Sequence, residues 1–437
     1  MVASNNNQVD SSGQSPEAGT ELELDVTNVA HGGIFVARHE GRVVFVSDTL
    51  PGERVRARLT EANHKSFWRA ETVEVLDAAP ERQPHVWSAA ALERAPEDRA
   101  GGAEFGHIEL GFQRELKRRV LADALKRMAG IDSDVTVEAV PVGPNASPGD
   151  AMDGTGWRTR VRLHVADDGT IGPYSARSHR VIAISDLPLA ERSVEAAAPL
   201  DTLFPGAASV DLVAPSIGDV QVLVAEKDAR GKRLPTPRNL IREVVGDREF
   251  RLDAAGFWQV HSSAAETLYR AVQDSIDETG FDPRAANLDL YGGVGLLAAA
   301  VGDKFGRETR ITSVESDPAA TDFAAENLSD WIGASAQTDR VDRYLQGILR
   351  DAGAVERGRQ QAATVVLDPP RAGAGRAVVD QLGALGPRQI VYVACDPVAL
   401  ARDVALFAGH GYELRRLRAF DLFPNTHHVE AVAVLSR

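Results

Sequence analysis

The sequence has 437 residues, 43% hydrophobic and 25% charged, which is typical of a globular protein with two or three domains. Its formal net charge of −15 argues against indiscriminate nucleic-acid binding, although an acidic body can carry a local basic face. The lack of a long apolar run and the single cysteine, Cys395, argue against a membrane span, an intramolecular disulfide and a cysteine-ligated metal centre. We therefore expect a cytoplasmic protein without membrane contact.

The N-terminal region predicts a tail followed by a small barrel. Residues 1–19 have no basic segment followed by an apolar one, so we interpret them as a disordered polar tail and not as a secretory signal. Residues 20–79 hold about five short β-rich runs separated by the turns HGG, HEGR and LPGE. The combination AHGG, EGRVVFV and LPGERVRA resembles the TRAM domain, which implies an RNA-binding barrel. The alternative is a generic barrel with only a packing role.

Two groups of arginines alternate with apolar residues, so each group would share one face of a strand. Each group is either a solvated charged face or a platform for RNA phosphates. The two groups are Arg54, Arg56 and Arg58, and Arg158, Arg160 and Arg162.

The rest of the chain predicts two further domains. Residues 80–245 begin irregularly, contain a helix in RELKRRVLADALKRMAG, and then mix strands with Pro- and Gly-rich loops, which we interpret as a small α/β central domain. Residues 246–437 alternate apolar strands with helices. This alternation predicts a doubly wound, Rossmann-like α/β domain with a mostly parallel sheet.

Several strands of this last domain end in residues suited to a ligand. The turn in LDLYGGVG leads from a strand into a helix, and its glycines allow close approach of a cofactor. Glu315 ends the next strand, where an acid suits a ribose diol. The third glycine position of a dinucleotide-binding turn holds Ala298, which favours S-adenosylmethionine over a nicotinamide cofactor. Asp368 follows another strand in a D-P-P motif, which is typical of methyltransferases acting on planar nitrogenous rings.

Cys395 and Glu430 are the candidate reactive groups. Cys395 follows the apolar strand QIVYVA; a lone cysteine is usually a buried small hydrophobe, but this position beside the cofactor crevice favours a nucleophile. Glu430 lies where the last strand begins and could act as a general base. His427 and His428 are adjacent and point in different directions, so they do not predict a metal pair.

The motifs DLYGGVG, DPPRAG, ACDPVALARD and DLFPNTHHVE occur in the order and spacing of the RNA uracil-C5 methyltransferase family, which the sequence resembles after its tail. The resemblance implies S-adenosyl-L-methionine as cofactor, Cys395 as nucleophile and Glu430 as base. Phe423 is then either a wall of the substrate pocket or a core residue. The implied cofactor contacts are Gln259 in FWQV, Tyr291, Gly293, Gly295, Glu315, Asp342 and Asp368. The implied substrate contacts are Arg158, Pro369, Arg371 and Phe423.

The chemistry explains these residue types. Uracil C5 is a poor nucleophile, but addition of a thiolate to C6 makes C5 enolate-like and able to accept a sulfonium methyl group. A base then removes the C5 proton and the thiolate leaves. A uracil stacked in a helix cannot reach a buried thiolate, so the target base must be flipped out.

The sequence departs from the family at the positions of a four-cysteine iron–sulfur cluster found in many members. Ala100, Ala103 and Asp186 stand where cysteines would be, so we expect no cluster and a segment held by apolar packing instead. Gly292 replaces the cysteine of the glycine turn. Leu296 replaces an asparagine, which leaves one cofactor contact open.

The favoured hypothesis is a monomeric enzyme that makes 5-methyluridine in RNA, with ribosomal RNA favoured over transfer RNA. One alternative is a base N-methyltransferase, for which the D-P-P motif alone would suffice. Another is a non-catalytic RNA-binding factor with a vestigial catalytic domain.

Overall fold

The computed structural model describes most of the chain, in the residue ranges 17–64, 66–143, 150–176, 178–228 and 230–437. Within these ranges the chain divides into two compact units, and the first ends at Arg82. The second unit takes in residues 31–33 and everything from Gln83 onward. Most of the predicted tail, residues 1–16, lies outside the described residues. Among the described residues, the helices are too short or too polar to cross a membrane.

The first unit is a closed five-stranded barrel, as the sequence predicted. Its strands run in the order β1-β2-β3-β5-β4, and β4 closes on β1. In β4 the buried residues Val55, Ala57 and Leu59 alternate with outward-facing arginines, which is the period-two pattern of a half-buried strand. The strands are β1 (Glu21–Ala30), β2 (Ile34–His39), β3 (Arg42–Ser47), β4 (Arg54–Glu61) and β5 (Phe67–Asp77).

The three arginines of β4 share the outer face, as predicted, but each is paired with a carboxylate of a neighbouring strand. Arg54 Nη2 lies 2.5 Å from Glu23 Oε2. Arg58 Nη2 lies 2.7 Å from Glu71 Oε1, and Arg56 pairs with a glutamate of β5 in the same way. Because cross-strand carboxylates pair with these cations, the structure favours the first alternative, a solvated charged face, over an open phosphate platform.

The second unit begins with short 3₁₀ helices at Ser88–Ala90 and Pro96–Asp98, and its first long helix ends at Gly130 in a left-handed conformation, φ 70°. A four-stranded antiparallel sheet follows in the order β10-β9-β7-β8, beside a hairpin of β11 and β12. The elements up to this hairpin are α1 (Leu110–Ala129), β6 (Val137–Ala139), α2 (Asp150–Asp153), β7 (Arg160–Val165), β8 (Ile171–Gly172), α3 (Arg192–Ala197), β9 (Ala207–Val213), β10 (Gln221–Glu226), β11 (Leu240–Val245) and β12 (Arg248–Asp253).

The second group of arginines serves this part of the fold. Arg160 Nη1 donates hydrogen bonds to the carbonyls of Ala254, at 3.2 Å, and Gly256, at 2.8 Å. Arg162 makes a bidentate pair with the Asp211 carboxylate at 2.7 and 2.9 Å. These two arginines therefore hold protein groups, which does not favour a phosphate platform shared by all three arginines.

The C-terminal part is the predicted doubly wound α/β structure. An eight-stranded sheet runs in the order β15-β14-β13-β16-β17-β19-β18-β6, and its central pairs from β15 to β17 are parallel. Every residue of β13, β16 and β17 is buried, as expected where helices cover both faces. The elements are α4 (Ala264–Ser275), β13 (Asn287–Leu290), α5 (Leu296–Phe305), β14 (Ile311–Glu315), α6 (Pro318–Asn327), β15 (Ala334–Thr338), α7 (Val341–Asp351), α8 (Ala354–Gln361), β16 (Thr364–Leu367), α9 (Gly375–Leu385), β17 (Gln389–Ala394), α10 (Pro397–Ala408), β18 (Glu413–Asp421) and β19 (Glu430–Ser436).

Helix α1 and strand β6 precede the predicted boundary at residues 245/246, yet β6 is a strand of this sheet and α1 packs against one of the helices that cover it. Strand β6 pairs with β18 in parallel, and α1 packs against α10. A buried ion pair fixes the helix, because Lys117 Nζ lies 2.6 Å from Asp421 Oδ1 and donates to the Phe423 carbonyl at 3.0 Å. The division into residues 80–245 and 246–437 stays a prediction.

We predict that Lys117→Ala lowers the free energy of unfolding by about 3 kcal/mol, because it leaves the buried Asp421 carboxylate without its main partner. Denaturant unfolding of the whole protein measures the loss. The matched control is Lys126→Ala, since Lys126 on the same helix pairs with Asp132 at the surface and should cost less than about 1 kcal/mol. Equal losses for the two variants would contradict a role for the buried pair.

Candidate active site

A cleft of about 1050 Å³ opens in the second unit and is lined by residues that follow the carboxyl ends of β13, β14, β16 and β17. This is the edge of a parallel sheet where ligands bind in doubly wound folds. The cleft brings together eleven of the thirteen predicted site residues: Arg158, Gln259, Tyr291, Gly293, Glu315, Asp368, Pro369, Arg371, Cys395, Phe423 and Glu430.

The glycine turn after β13 forms one end of the cleft. Tyr291 has a φ of 64° and Gly293 a φ of 54°, so the chain turns through the left-handed region before α5 begins. Gly295 is not part of the lining; it is the N-cap of α5, with a φ of 90°. A Cβ at Gly292 would overlap Ser313 Oγ and lie 2.7 Å from Asp289 Oδ2, so a larger side chain at this position would displace these two groups.

Glu315, at the end of β14, is held rigidly beside this turn. Its Oε2 accepts from the N–H of Gly293 at 3.2 Å, and its Oε1 accepts from the N–H of Asp317 at 2.8 Å. A carboxylate that is fixed at the end of β14, beside the glycine turn, is well placed to accept hydrogen bonds from the ribose diol of a nucleoside cofactor.

The predicted contact Asp342 lies outside the lining, at the start of α7. Both of its carboxylate oxygens are 3.0 Å from the Arg340 guanidinium, which also keeps its pKa below the ordinary value. Asp339 directly follows β15 instead, and its N–H donates to the Glu315 carbonyl at 2.9 Å. Neither Asp339 nor Asp342 is among the described residues that line the cleft, and the assignment of Asp342 to the cofactor stays a prediction.

The D-P-P loop after β16 is held in place by hydrogen bonds to Asp403, a fully buried residue of α10. Its Oδ2 accepts from the N–H of Ala374 at 2.8 Å and from the Tyr392 hydroxyl at 2.8 Å. Gly373 has a φ of 77°, and a Cβ there would come within 2.6 Å of the same carboxylate oxygen. The acid that ends the ACDPVALARD motif thus sets the path of the loop that carries Asp368 and Arg371.

Cys395 and Glu430 meet because β17 and β19 are antiparallel. Ala394 pairs with Ala431, so the residue after β17 and the first residue of β19 lie at the same edge of the sheet. Burial raises the pKa of the Cys395 thiol to about 12, and the carboxylates of Glu430 and Asp368 add to the shift. Burial also raises the pKa of Glu430 well above its ordinary value, with Asp368 contributing, so this carboxylate holds a proton strongly.

The loop between β18 and β19 forms the opposite wall and is held by Asn425, which is fully buried and has a φ of 63°. Asn425 exchanges two hydrogen bonds with the side chain of Gln113, at 2.8 and 2.9 Å. This exchange ties the loop to α1. Phe423 lines the cleft and packs edge-on against Trp157 at a ring-centroid distance of 6.1 Å, so it serves as both wall and core residue.

The segment that resembles an iron–sulfur site is filled by side chains. Ala100 and Ala103 are buried in an apolar cluster with Trp87 and Trp157, which confirms the predicted packing. Asp186 Oδ1 accepts from the Trp87 indole N–H at 2.7 Å. Within the described residues, no three His, Cys, Asp or Glu side chains are arranged to hold a metal ion.

The cleft also contains groups that the sequence analysis did not single out. Phe257, two residues before Gln259, is 73% exposed at the cleft, an unusual state for a large apolar side chain. Arg233, Pro235 and Thr236 line the cleft from a loop after β10. The basic composition of that loop is a sequence signal that could have identified it as part of the site.

The sheet and its cleft define an α/β methyltransferase, and comparison with known proteins names its family. The model of the tRNA (Uracil-5-)-methyltransferase family matches residues 220–437, and the TRAM domain model matches residues 17–68. An uncharacterized RNA methyltransferase of Streptomyces avermitilis is 38% identical, over 95% of this chain and 98% of that protein. The chain belongs to the RNA uracil-C5 methyltransferase family, whose methyl donor is S-adenosyl-L-methionine.

Two further relatives carry more specific descriptions. The 23S rRNA (uracil(1939)-C(5))-methyltransferase RlmD of Pseudomonas aeruginosa is 31% identical, over 95% of this chain and 94% of that protein. The crystal structure of Pyrococcus abyssi tRNA (uracil-54, C5)-methyltransferase with S-adenosyl-L-homocysteine superposes with a TM-score of 0.66 at 21% identity. The match covers 94% of this chain and 99% of the Pyrococcus chain, and it supports the fold described above.

We predict that Cys395 of the ligand-free protein reacts with iodoacetamide slowly near neutral pH, because the raised pKa keeps the thiol protonated. The rate should rise about tenfold per pH unit through pH 9 without a plateau. Intact-mass spectrometry reads Cys395 directly, since it is the only cysteine. Cys395→Ala is the control for other sites, and a plateau near pH 8 would contradict the shift.

Proposed function

We propose that this protein transfers the methyl group of S-adenosyl-L-methionine to C5 of one specific uridine in RNA, through a covalent bond between Cys395 and C6. The observation that carries this proposal is the placement of the protein's one thiol beside Glu430 in the cleft. A methyltransferase acting on a ring nitrogen needs no thiol there, so the arrangement favours C5 chemistry over the alternative of N-methylation.

In this mechanism Cys395 is the nucleophile and Glu430 is the general base. Cys395 loses its thiol proton to solvent and bonds to C6, which displaces the ring electrons toward C5 and O4. C5 then takes the methyl group of the sulfonium, and the cofactor would leave as the neutral thioether. Glu430 takes the C5 proton; the C5–C6 double bond re-forms as the Cys395–C6 bond breaks. Once it is ionised, a carboxylate whose pKa is raised by burial is a stronger base for this step than a solvated one.

The remaining lining residues fall into two groups by position. Tyr291, Gly293 and Glu315 surround the end of the cleft formed by β13 and β14, and we assign them to the cofactor together with Gln259. Asp368 lies next to β16 between this end and the thiol, and its pKa is raised to about 7 by burial and by Asp289.

The second group surrounds the thiol and is assigned to the flipped uridine. Pro369 and Arg371 are on the D-P-P loop, and Phe423 is on the opposite wall. Burial lowers the pKa of Arg158, the Glu104 carboxylate opposes that shift, and the Arg158 Nε donates to the Arg160 carbonyl at 2.9 Å. Its guanidinium therefore faces the cleft from a fixed position and can meet a carbonyl or phosphate of the nucleotide.

We favour ribosomal RNA over transfer RNA as the substrate. The Pseudomonas relative, which is named for uracil 1939 of 23S rRNA, matches nearly the whole chain at 31% identity, whereas the solved enzyme named for transfer RNA matches at 21%. The TRAM barrel supports an RNA substrate in either case.

The experiment is adduct formation with 5-fluorouridine, which has no C5 proton for Glu430 to remove. With S-adenosyl-L-methionine, 23S rRNA transcribed with 5-fluorouridine should form a denaturation-resistant complex with the protein, and peptide mapping should locate the bond at Cys395. Bulk transfer RNA made in the same way should form little complex. Cys395→Ser should abolish the complex while still binding cofactor in calorimetry. A complex that persists in Cys395→Ser would refute the mechanism, and a complex with transfer RNA alone would refute the ribosomal assignment.

A further inference from the structure

A short basic segment follows β10 in a protein of formal net charge −15. Residues 226–238 read EKDARGKRLPTPR, with five basic residues against two acidic ones. The structure describes all of these residues except 229, and we call the described part the basic arm. Such a local reversal of charge is the electrostatic footprint expected of a phosphate-binding surface.

The basic arm is a defined hairpin. Lys227 pairs with Arg233 across an antiparallel bridge, and the Asp228 N–H donates to the Lys232 carbonyl at 2.8 Å. The Asp228 carboxylate accepts from the N–H groups of Arg230 and Lys232, both at 2.8 Å, and so shapes the tip. Backbone hydrogen bonds therefore fix where the basic side chains begin.

The cations of the arm divide into an anchor and a free set. Arg233 Nη2 lies 2.7 Å from Asp211 Oδ2 and fastens the arm to β9. Lys227, Arg230 and Lys232 are exposed, and in the described part of the chain their side chains have neither a hydrogen-bond partner nor an ion-pair partner. Arg238 is partly neutralised by Asp322 at 3.5 Å, so we leave it out of the free set.

The arm is next to the reaction site. Its returning strand contributes Arg233, Pro235 and Thr236 to the same cleft that contains Cys395. An RNA that delivers one base to Cys395 must pass its neighbouring phosphates over the rim of that cleft. Lys227, Arg230 and Lys232 precede the lining residue Arg233 by six, three and one positions in the same hairpin.

We infer that the basic arm binds the phosphates of the RNA strand flanking the target uridine, through Lys227, Arg230 and Lys232. This inference rests on RNA being the substrate, but not on the covalent mechanism. Because phosphate contacts carry no base information, the arm supplies affinity and orientation, while the cleft selects the base. A chain that is acidic elsewhere would thus hold RNA where the base must enter.

The test compares the triple variant Lys227→Gln, Arg230→Gln, Lys232→Gln with wild type in binding to the target RNA at several salt concentrations. Losing three phosphate contacts should lower the slope of log Kd against log salt by about 2, and weaken binding about tenfold near 0.1 M salt. The value of kcat at saturating RNA and the affinity for S-adenosyl-L-methionine should stay within about twofold of wild type.

The matched control is Arg284→Gln, Arg310→Gln, Arg388→Gln, which removes three exposed arginines that precede the amino ends of β13, β14 and β17. It makes the same change in net charge at the opposite edge of the parallel sheet and should keep the wild-type slope. A charge-conserving variant, Lys227→Arg, Arg230→Lys, Lys232→Arg, should restore binding.

An arm variant with the wild-type slope, or a control variant with the same loss, would overturn the inference. The outcome is independent of the methylation chemistry. If the slope falls in the arm variant while the wild-type protein forms no adduct at Cys395, the proposed mechanism fails and the inference about the arm stands.

Discussion

The antiparallel pairing of β19 with β17 is the constraint on which the site depends. The parallel strands place Glu315, Asp368 and the glycine turn after β13 at one edge of the sheet, and Cys395 lies at the same edge because it directly follows β17. Only an antiparallel neighbour can bring its first residue, Glu430, to that edge too, and the register Ala394 to Ala431 does so. Cys395 and Glu430, which are 35 positions apart in the chain, thereby share one cleft, without either being carried on a long flexible loop.

Polar anchors from distant parts of the chain hold the surrounding loops. Asp403 beneath the D-P-P loop, Asn425 in the wall loop and Lys117 on α1 are all buried, and each satisfies backbone or charged groups near the cleft. Because a buried polar group without its partner is costly, such anchors tolerate few alternative loop paths. The α1 region, although it precedes the antiparallel sheet, is therefore part of the catalytic architecture.

The sequence was sufficient for the elements whose pattern is local. The barrel, the buried parallel strands and the strand-end positions of Glu315, Asp368 and Cys395 follow from hydrophobic periodicity, and the structure has them as predicted. What the sequence left open depended on long-range pairing. The role of the β4 arginines could not be decided because their partners Glu23 and Glu71 lie on other strands, and Asp211 is likewise 49 positions from Arg162. Strand β6 in the catalytic sheet was also missed, since three residues carry too little pattern to reveal a parallel partner.

In the proposed mechanism, the Cys395 thiol activates uracil C5 for methylation, and the Glu430 carboxylate then removes the C5 proton. Release of tritium from RNA labelled at C5 of uridine, followed together with methyl transfer in single-turnover reactions, tests it most directly. The account predicts one tritium released per methyl group transferred by the wild-type enzyme, and neither event with Cys395→Ser. With Glu430→Gln, methyl transfer should continue while tritium stays in a covalent protein–RNA complex. Methyl transfer that leaves the tritium in free RNA product would contradict the account.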